Sequence, residues 1–312
     1  MSAGPLPGTE QRDLPAGAVA VLCNPAAGRG RHAEAVARAL ELLRGTGREV
    51  KVLEAGTREG ALLACQQAIA DGAGALVTVG GDGTVHLGIQ TVAGTGIPFG
   101  VVPAGTGNDF ATEAGVNADL GRAASAIVTA LREGRTRPLD LAHLTGPDGY
   151  QAWFAAVLGA GFDALVNERA NAMRWPKGRR RYDFAIFAEL LGLRPRRYTL
   201  TLDGTVSVVD AVLVAVGNGA TYGGGMRMCP AASLTDGLLD VVVAGPVSRA
   251  TLLRLQPKLY TGQHVSHPQV TSHQVRTVSI EAEGITAYAD GERTCPLPIT
   301  IEARPAALAL LV

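Results

Sequence analysis

"VTVGGDGTVHLG" spans residues 77–88, and its reading decides the fold. A run rich in β-branched residues stops on Gly80 and Gly81, then Asp82, Gly83 and Thr84. The apolar "GALVTV" leading into it reads as a buried parallel strand, and "TVHLGIQTVAG" as a helix. Bare glycines let the backbone come close to another group. Asp82 follows the carboxyl end of a strand, where open α/β sheets bind ligands. A phosphate would fit such a turn, yet Asp82 would repel it unless a cation lay between them. Asp82 therefore implies Mg²⁺, which favours carboxylate and phosphate oxygens and keeps some waters. The alternative is that Asp82 or Thr84 merely caps the helix. Capping accounts for one of them, not for both together with three glycines.

Working outward, "AVAVLC" (18–23) is a short apolar run, read as another parallel strand. The loop "NPAAGRG" and the helical "RHAEAVARALELLRG" follow, with Gly45 as a C-cap. "EVKVLEAG" is a strand, and Thr57 N-caps a helix that ends before Gly72. "PFGVVP" is a strand; "NDFATEAG" and "ADLGRAASAIVTALREG" are helices. This alternation predicts a doubly wound parallel sheet from about residue 18 to 134. After Arg137, strands are divided by glycine and aspartate turns, with helical pattern only at 163–193 and 248–261. That texture predicts a mainly antiparallel β-sandwich. The final "ALALLV" is apolar and could return to either domain.

Three further turns carry candidate chemistry. In "NPAAGRG", bare backbone, a helix N-terminus, Arg29 and Arg31 suit an anion. Gly28, Gly30 and Ala33 fit G-x-G-x-x-A, with Glu54 as a ribose ligand. In that dinucleotide fingerprint the glycine follows the strand at once, whereas here Asn24 to Ala27 intervene. "PAGTGNDFA" (103–111) brings Gly105, Thr106, Gly107 and Asp109 to the same sheet edge as Asp82. Asp109 can share the cation with Asp82, or Asn108 or Asp109 can simply cap a helix. "YADGE" (288–292) is either an Asp-Gly hairpin turn or the carrier of a general base, Asp290 or Glu292. No G-x-x-x-x-G-K-[ST] loop and no protein-kinase signature set occurs.

"NPAAGRG", "GGDGT", "PAGTGNDFA", "LGAGFDA" and "DGE", in this order, resemble the diacylglycerol kinase catalytic family in its bacterial soluble lipid-kinase branch, related to sphingosine and ceramide kinases. The match covers residues 18 to about 305. The resemblance implies ATP- and Mg²⁺-dependent phosphorylation of a diacylglycerol-like hydroxyl, in a cleft between an α/β nucleotide domain and a β-sandwich. ATP would touch Asn24, Pro25, Ala26, Ala27, Gly28, Thr57, Gly80, Gly81, Asp82, Gly83, Thr84, Val85, His86 and Thr106. Asp82 and Asp109 would hold catalytic Mg²⁺, and Asp290 or Glu292 would be the base. "SLTDGLLD" resembles a structural Mg²⁺ site at Ser233, Asp236 and Leu238, and reads equally as an Asp-Gly turn. One departure stands out: His86 and Leu87 occupy places where the family has Asn and Glu. Neutral imidazole can both donate and accept, as an amide does; leucine removes a carboxylate. The implied domains are a frayed tail at 1–16, a nucleotide-binding domain at 17–137, and a lipid-substrate domain at 138–302, with 303–312 able to return to the first.

Composition is that of a globular protein rather than a disordered one. The 312 residues suit two domains; hydrophobic residues make up 47% and charged residues 18%. A formal net charge of zero and only 4% aromatics argue against a nucleic-acid partner. Cys23, Cys65, Cys229 and Cys295 form no CxxC pair and read as reduced thiols. The N-terminal stretch reads as a frayed tail rather than a signal peptide, and no uncharged apolar run reaches 18 residues, so no membrane span is expected.

A lipid substrate calls for a membrane-facing surface. "RWPKGRRRYDF" (174–184) sets five positive charges around Trp175, Pro176 and Tyr182, and Arg194, Arg196 and Arg197 follow. Such a patch suits an anionic leaflet, though a charge run also serves as a solvated helix face. The expected protein is thus cytoplasmic and peripheral at the inner membrane face, with a homodimer left open. The alternatives are an NAD-kinase-like small-molecule kinase, against which "GTGNDFA" argues, and a catalytically weak nucleotide- or lipid-binding protein, hinted at by Leu87.

Overall fold

A computed structural model describes residues 8–23, 33–162 and 194–312, with isolated positions 164, 166, 169 and 192. Two compact units emerge: residues 1–141 with 304–312, and residues 142–303.

Unit 1 opens with a two-residue strand, β1 (Glu10–Gln11), followed by β2 (Val19–Cys23), α1 (Ala33–Arg44), β3 (Val50–Leu53), α2 (Arg58–Ala70), β4 (Ala75–Gly80), α3 (Asp82–Val92), β5 (Pro98–Pro103), α4 (Asp109–Glu113), α5 (Leu120–Glu133) and β6 (Arg135–Thr145). β2, β3, β4 and β5 are parallel, in the order β3-β2-β4-β5. Every residue of β4 and β5 is buried, which explains their unbroken apolar runs. Val36, Ala39 and Leu43 of α1 and Ile127, Val128 and Leu131 of α5 share one core with Val19, Val21 and Val77. Ala309 and Leu310 near the C-terminus pair parallel with Pro98 and Phe99 of β5.

Unit 2 adds β7 (Gln151–Phe154), β8 (Val157–Gly161), β9 (Arg196–Leu202), β10 (Thr205–Ala211), β11 (Leu213–Gly217), β12 (Leu239–Ala244), α6 (Arg249–Leu259), β13 (Val270–Val275), β14 (Thr277–Glu281), β15 (Thr286–Ala289), β16 (Glu292–Pro296) and the start of β17 (Ile299–Leu310), whose residues from Arg304 onward belong to unit 1. The first four residues of β17 pair with β14 in the series β10-β9-β14-β17, and the second sheet runs β13-β12-β11-β8-β15-β16. Neighbouring strands within these two series of unit 2 pair antiparallel. Tyr198, Leu200, Val278, Ile280 and Ile301 from one sheet meet Leu158, Val214, Val216, Val241 and Ala287 from the other. The alternate residues Ala215 and Val242 join a second core with Val157, Met228 and Leu259. The period-2 pattern thus feeds two cores from one sheet. β13 and β16 were not legible as strands: Val270 and Val275 bracket four exposed polar residues, and β16 is short and polar. Among the described residues no helix is long and apolar enough to cross a membrane.

Candidate active site

In unit 1, the parallel strands end along one edge. Cys23 at the end of β2 lies level with Val79, and Gly80 at the end of β4 lies level with Pro103. The chain leaves β2 for β3 on one side and returns to β4 on the other, so the strand order reverses there. Open α/β sheets form a crevice at such a switch point, outside the carboxyl ends of the strands. A cavity of about 700 Å³ lies at these ends, lined by Leu22, Cys23, Ala55 to Arg58, Ala61, Gly81 to Thr84, Leu87 and Gly105 to Gly107. That volume falls in the roughly 300–1,000 Å³ range of small-molecule sites.

Two helices begin at the cavity. Thr57 Oγ1 accepts the Gly60 N–H at 3.1 Å and caps α2. α3 starts at Asp82, so the Asp-Gly-Thr turn is already helical, and the N–H groups of Thr84 and Val85 donate to the Gly81 carbonyl. Aligned peptides give each helix start a partial positive charge that favours an anion.

The glycines bring two loops into backbone contact. A Cβ on Gly81 would stand 2.7 Å from the Gly107 carbonyl oxygen and 3.0 Å from Gly105 Cα. The Asp82 N–H donates to that Gly107 oxygen at 3.1 Å, and Asp82 Oδ1 accepts the Phe110 N–H at 3.3 Å. Asp82 therefore reaches the helix that Asp109 begins; both acids are half-buried. Asn108 does not cap α4 with its side chain; it folds back to bond Gly105 through both N–H and carbonyl.

Among the described residues no three His, Cys, Asp or Glu side chains form a group that could hold a metal alone. Mg²⁺ typically takes one or two carboxylates and completes its shell with phosphates and water. Asp82 and Asp109 fit that donor set. Cys23 is another cavity residue, and burial pushes its thiol up to about 11.

In unit 2, Asp290 sits at the turn between β15 and β16 with φ of 52°. Its carboxylate accepts the N–H of Ala155 at 3.1 Å and of Ala156 at 2.9 Å. Its own N–H donates to the Val157 carbonyl at 3.0 Å. Fully buried Asn218 holds the same segment from another strand end: Nδ2 donates to the Ala155 carbonyl and its N–H to the Ala156 carbonyl, both at 2.9 Å. Glu292 begins β16, half-buried and paired with Ala289. In the acidic turn between Ser233 and Asp240, Asp236 Oδ1 accepts the Leu238 N–H at 3.0 Å and Ser233 Oγ lies 3.3 Å from Thr235 Oγ1. Burial raises the Asp240 carboxyl above its ordinary range, Gln274 opposes the shift, and nearby Asp236 adds to it.

Two family models cover almost the whole chain. The diacylglycerol kinase catalytic domain matches residues 18–144, and the YegS C-terminal NAD kinase beta sandwich-like domain matches 156–312. A diacylglycerol kinase of Mycobacterium tuberculosis is 44% identical over all 312 residues and 98% of its own length. The chain belongs to the diacylglycerol kinase family. It is a kinase, a phosphotransferase with an alcohol acceptor, and its second substrate is a nucleotide. A YegS-like lipid kinase of Stenotrophomonas maltophilia is 30% identical over 77% of this chain and 79% of its own. The fold is shared with a diacylglycerol kinase from Bacillus anthracis, with TM-score 0.69 and 22% identity, covering 94% of this chain and 96% of that one. It is shared more distantly with an NAD kinase from Archaeoglobus fulgidus in complex with ATP, with TM-score 0.50 and 15% identity, covering 95% and 93%.

Against this family background, the carried-over residues fall into groups. Thr57, Gly81, Asp82, Gly83, Thr84 and Thr106 line the unit 1 cavity, and Gly80 ends the strand leading into it. Val85 and His86 are buried in α3, with His86 Nε2 3.3 Å from Gln90 Nε2, whereas Leu87 lines the cavity. Asn24 to Gly28 and the basic stretch 174–184 lie outside the described residues. Sequence reasoning missed Cys23 and Arg58 as cavity residues, and Ala155, Ala156 and Asn218 as partners of Asp290. A thiol at the carboxyl end of a parallel strand was the available signal for the first. Nothing local marks the two alanines, because only their backbone acts.

Proposed function

We propose that the protein transfers the γ-phosphoryl group of ATP, with Mg²⁺, to the hydroxyl of a diacylglycerol-like lipid at an anionic membrane surface. The observation that carries this reading is the unit 1 cavity, where two helix N-termini and the two glycine loops meet Asp82. The triphosphate lies along the first turn of α3 and Thr57, with Thr106 and the loop Asn24 to Gly28 completing the nucleotide contacts. Mg²⁺, when bound, neutralises charge developing on the transferring phosphoryl group. Asp82 and Asp109 hold the ion, and the Phe110 amide keeps the Asp82 carboxylate in place. Asp290 or Glu292 takes the proton of the acceptor hydroxyl. Ser233, Asp236 and Leu238 hold a structural Mg²⁺, with carbonyls from the first and last.

The test is incubation with labelled ATP and a panel of lipids, followed by extraction and mass detection. Label in the organic phase that needs Mg²⁺ supports the reading. Label confined to water-soluble products would indicate a small-molecule kinase, and no label anywhere would indicate a nucleotide- or lipid-binding protein.

A further inference from the structure

From Val241 to Ile280 the chain carries no Asp or Glu, while Arg249, Arg254, Lys258 and Arg276 supply four cations. In a protein of zero formal net charge this is a marked local excess, and three of the four lie on α6. The helix is capped by Ser248, whose Oγ accepts the Thr251 N–H at 3.1 Å. It packs inward through Leu255, which is buried, and Leu259, which joins the core formed by Met228 and Val242. Leu259 also accepts the Arg227 N–H through its carbonyl at 2.9 Å.

The outward side has two adjacent stripes. Arg249, Leu253, Gln256 and Tyr260 follow the i, i+4, i+7, i+11 spacing that aligns residues along one helix face. Leu253 is 54% exposed and Tyr260 43%. Arg254 and Lys258, an i, i+4 pair, run beside them and are exposed. Apolar tips, one aromatic with a polar end, beside the exposed cations Arg254 and Lys258 in a stretch of sequence without acids, match the interface of an anionic bilayer. Charge complementarity is what selects an anionic lipid surface as the occupant.

We propose that the exposed face of α6 is a membrane-docking surface for anionic phospholipid. The cations are drawn to the negative headgroup layer, and Leu253 and Tyr260 enter its outer part. The proposal draws its purpose from the lipid-kinase reading, but its test needs neither ATP nor turnover, so the two fail separately.

Co-sedimentation of the full chain with vesicles of phosphatidylcholine, with and without phosphatidylglycerol, is the measurement. The wild type is expected to partition onto the phosphatidylglycerol vesicles only, and less so in high salt. Arg254→Glu with Lys258→Glu should weaken partitioning about tenfold or more. Leu253→Ser with Tyr260→Ser should also weaken it while leaving the salt dependence. Both pairs are on the surface, and activity on detergent-dispersed lipid should be unchanged. Equal binding to both vesicle types, or both variants binding as the wild type does, would overturn the proposal. So would a change in oligomeric state in either variant, which would assign the face to a second copy of the chain.

Discussion

Asp82 Oδ1 accepts the backbone N–H of Phe110 at 3.3 Å, so an acid in the first glycine loop caps the helix that begins in the second. One carboxylate thereby has two separable duties: it joins the loops, and in the proposed reaction it holds the cation. Asp82→Asn keeps an oxygen for the Phe110 amide and removes the charge. Lipid kinase activity is expected to fall about a hundredfold or more in Asp82→Asn and in Asp82→Ala. Only the alanine variant should also lose about 1 kcal/mol of stability in urea unfolding, the worth of a helix cap. Activity surviving in Asp82→Asn would remove the cation role.

The contact between the loops sets a second expectation. A Cβ at Gly105 would stand 2.7 Å from the Gly81 amide nitrogen, backbone that cannot turn aside. Gly105→Ala should cost about 1–3 kcal/mol, as overpacking does. Gly56, in the same cavity, has nothing within 4 Å of its Cβ position, and Gly56→Ala should unfold at the wild-type urea concentration.

The Ala155–Ala156 segment is held between Asp290 and Asn218. Asn218→Ala removes a donor 2.9 Å from the Ala155 carbonyl. Hydrogen exchange of the peptide containing residues 155 and 156 should accelerate, because the amides lose their fixed position beneath the Asp290 carboxylate. If Asn218 acts on turnover through Asp290, adding Asn218→Ala to Asp290→Asn should lower kcat little further. Equal losses in both backgrounds would make Asn218 a purely structural residue.

Cys23 and Cys65 carry thiols that burial pushes up to about 11, from 9.0 for an ordinary thiol; Thr91 slightly opposes the shift at Cys65. The unfolded chain then releases these protons near pH 9 while the native state holds them to about 11. Above pH 9 the unfolded state binds fewer protons, so stability falls as pH rises through that window. Urea unfolding between pH 8 and 11 should show the decline, and Cys65→Ala should flatten part of it.

Tyr198 is fully buried in the sandwich, and its hydroxyl donates to the Ala160 carbonyl at 3.0 Å. Tyr198→Phe removes that hydrogen bond and should cost about 0.5–1.5 kcal/mol by denaturant titration.

Much of this was legible before any coordinates. The runs "AVAVLC", "ALVTV" and "PFGVVP" are parallel strands because residues buried on both faces must be apolar at every position. Asp82 stood out because a carboxylate on a bare turn has few bland explanations. β13 carries no strand pattern in its sequence, since four exposed polar residues lie between its two buried valines. α3 starts two residues before the Thr84 that the sequence pattern indicates, because Asp-Gly is a poor helix interior and only the Gly81 carbonyl shows that the turn is already closed.

The amino-acid sequence alone determined the fold class of the two units, the carboxyl-end edge of the parallel sheet as the candidate site and the kinds of group brought there. Periodicity and turn chemistry are local, and each is written in consecutive residues. Only the tertiary structure decided what the groups touch: that the glycines admit each other's backbone, that Asp82 caps a neighbouring helix, and that two alanine amides receive Asp290. Those contacts join residues 28 and about 135 positions apart through main-chain atoms, which every residue type shares and no side-chain pattern can announce.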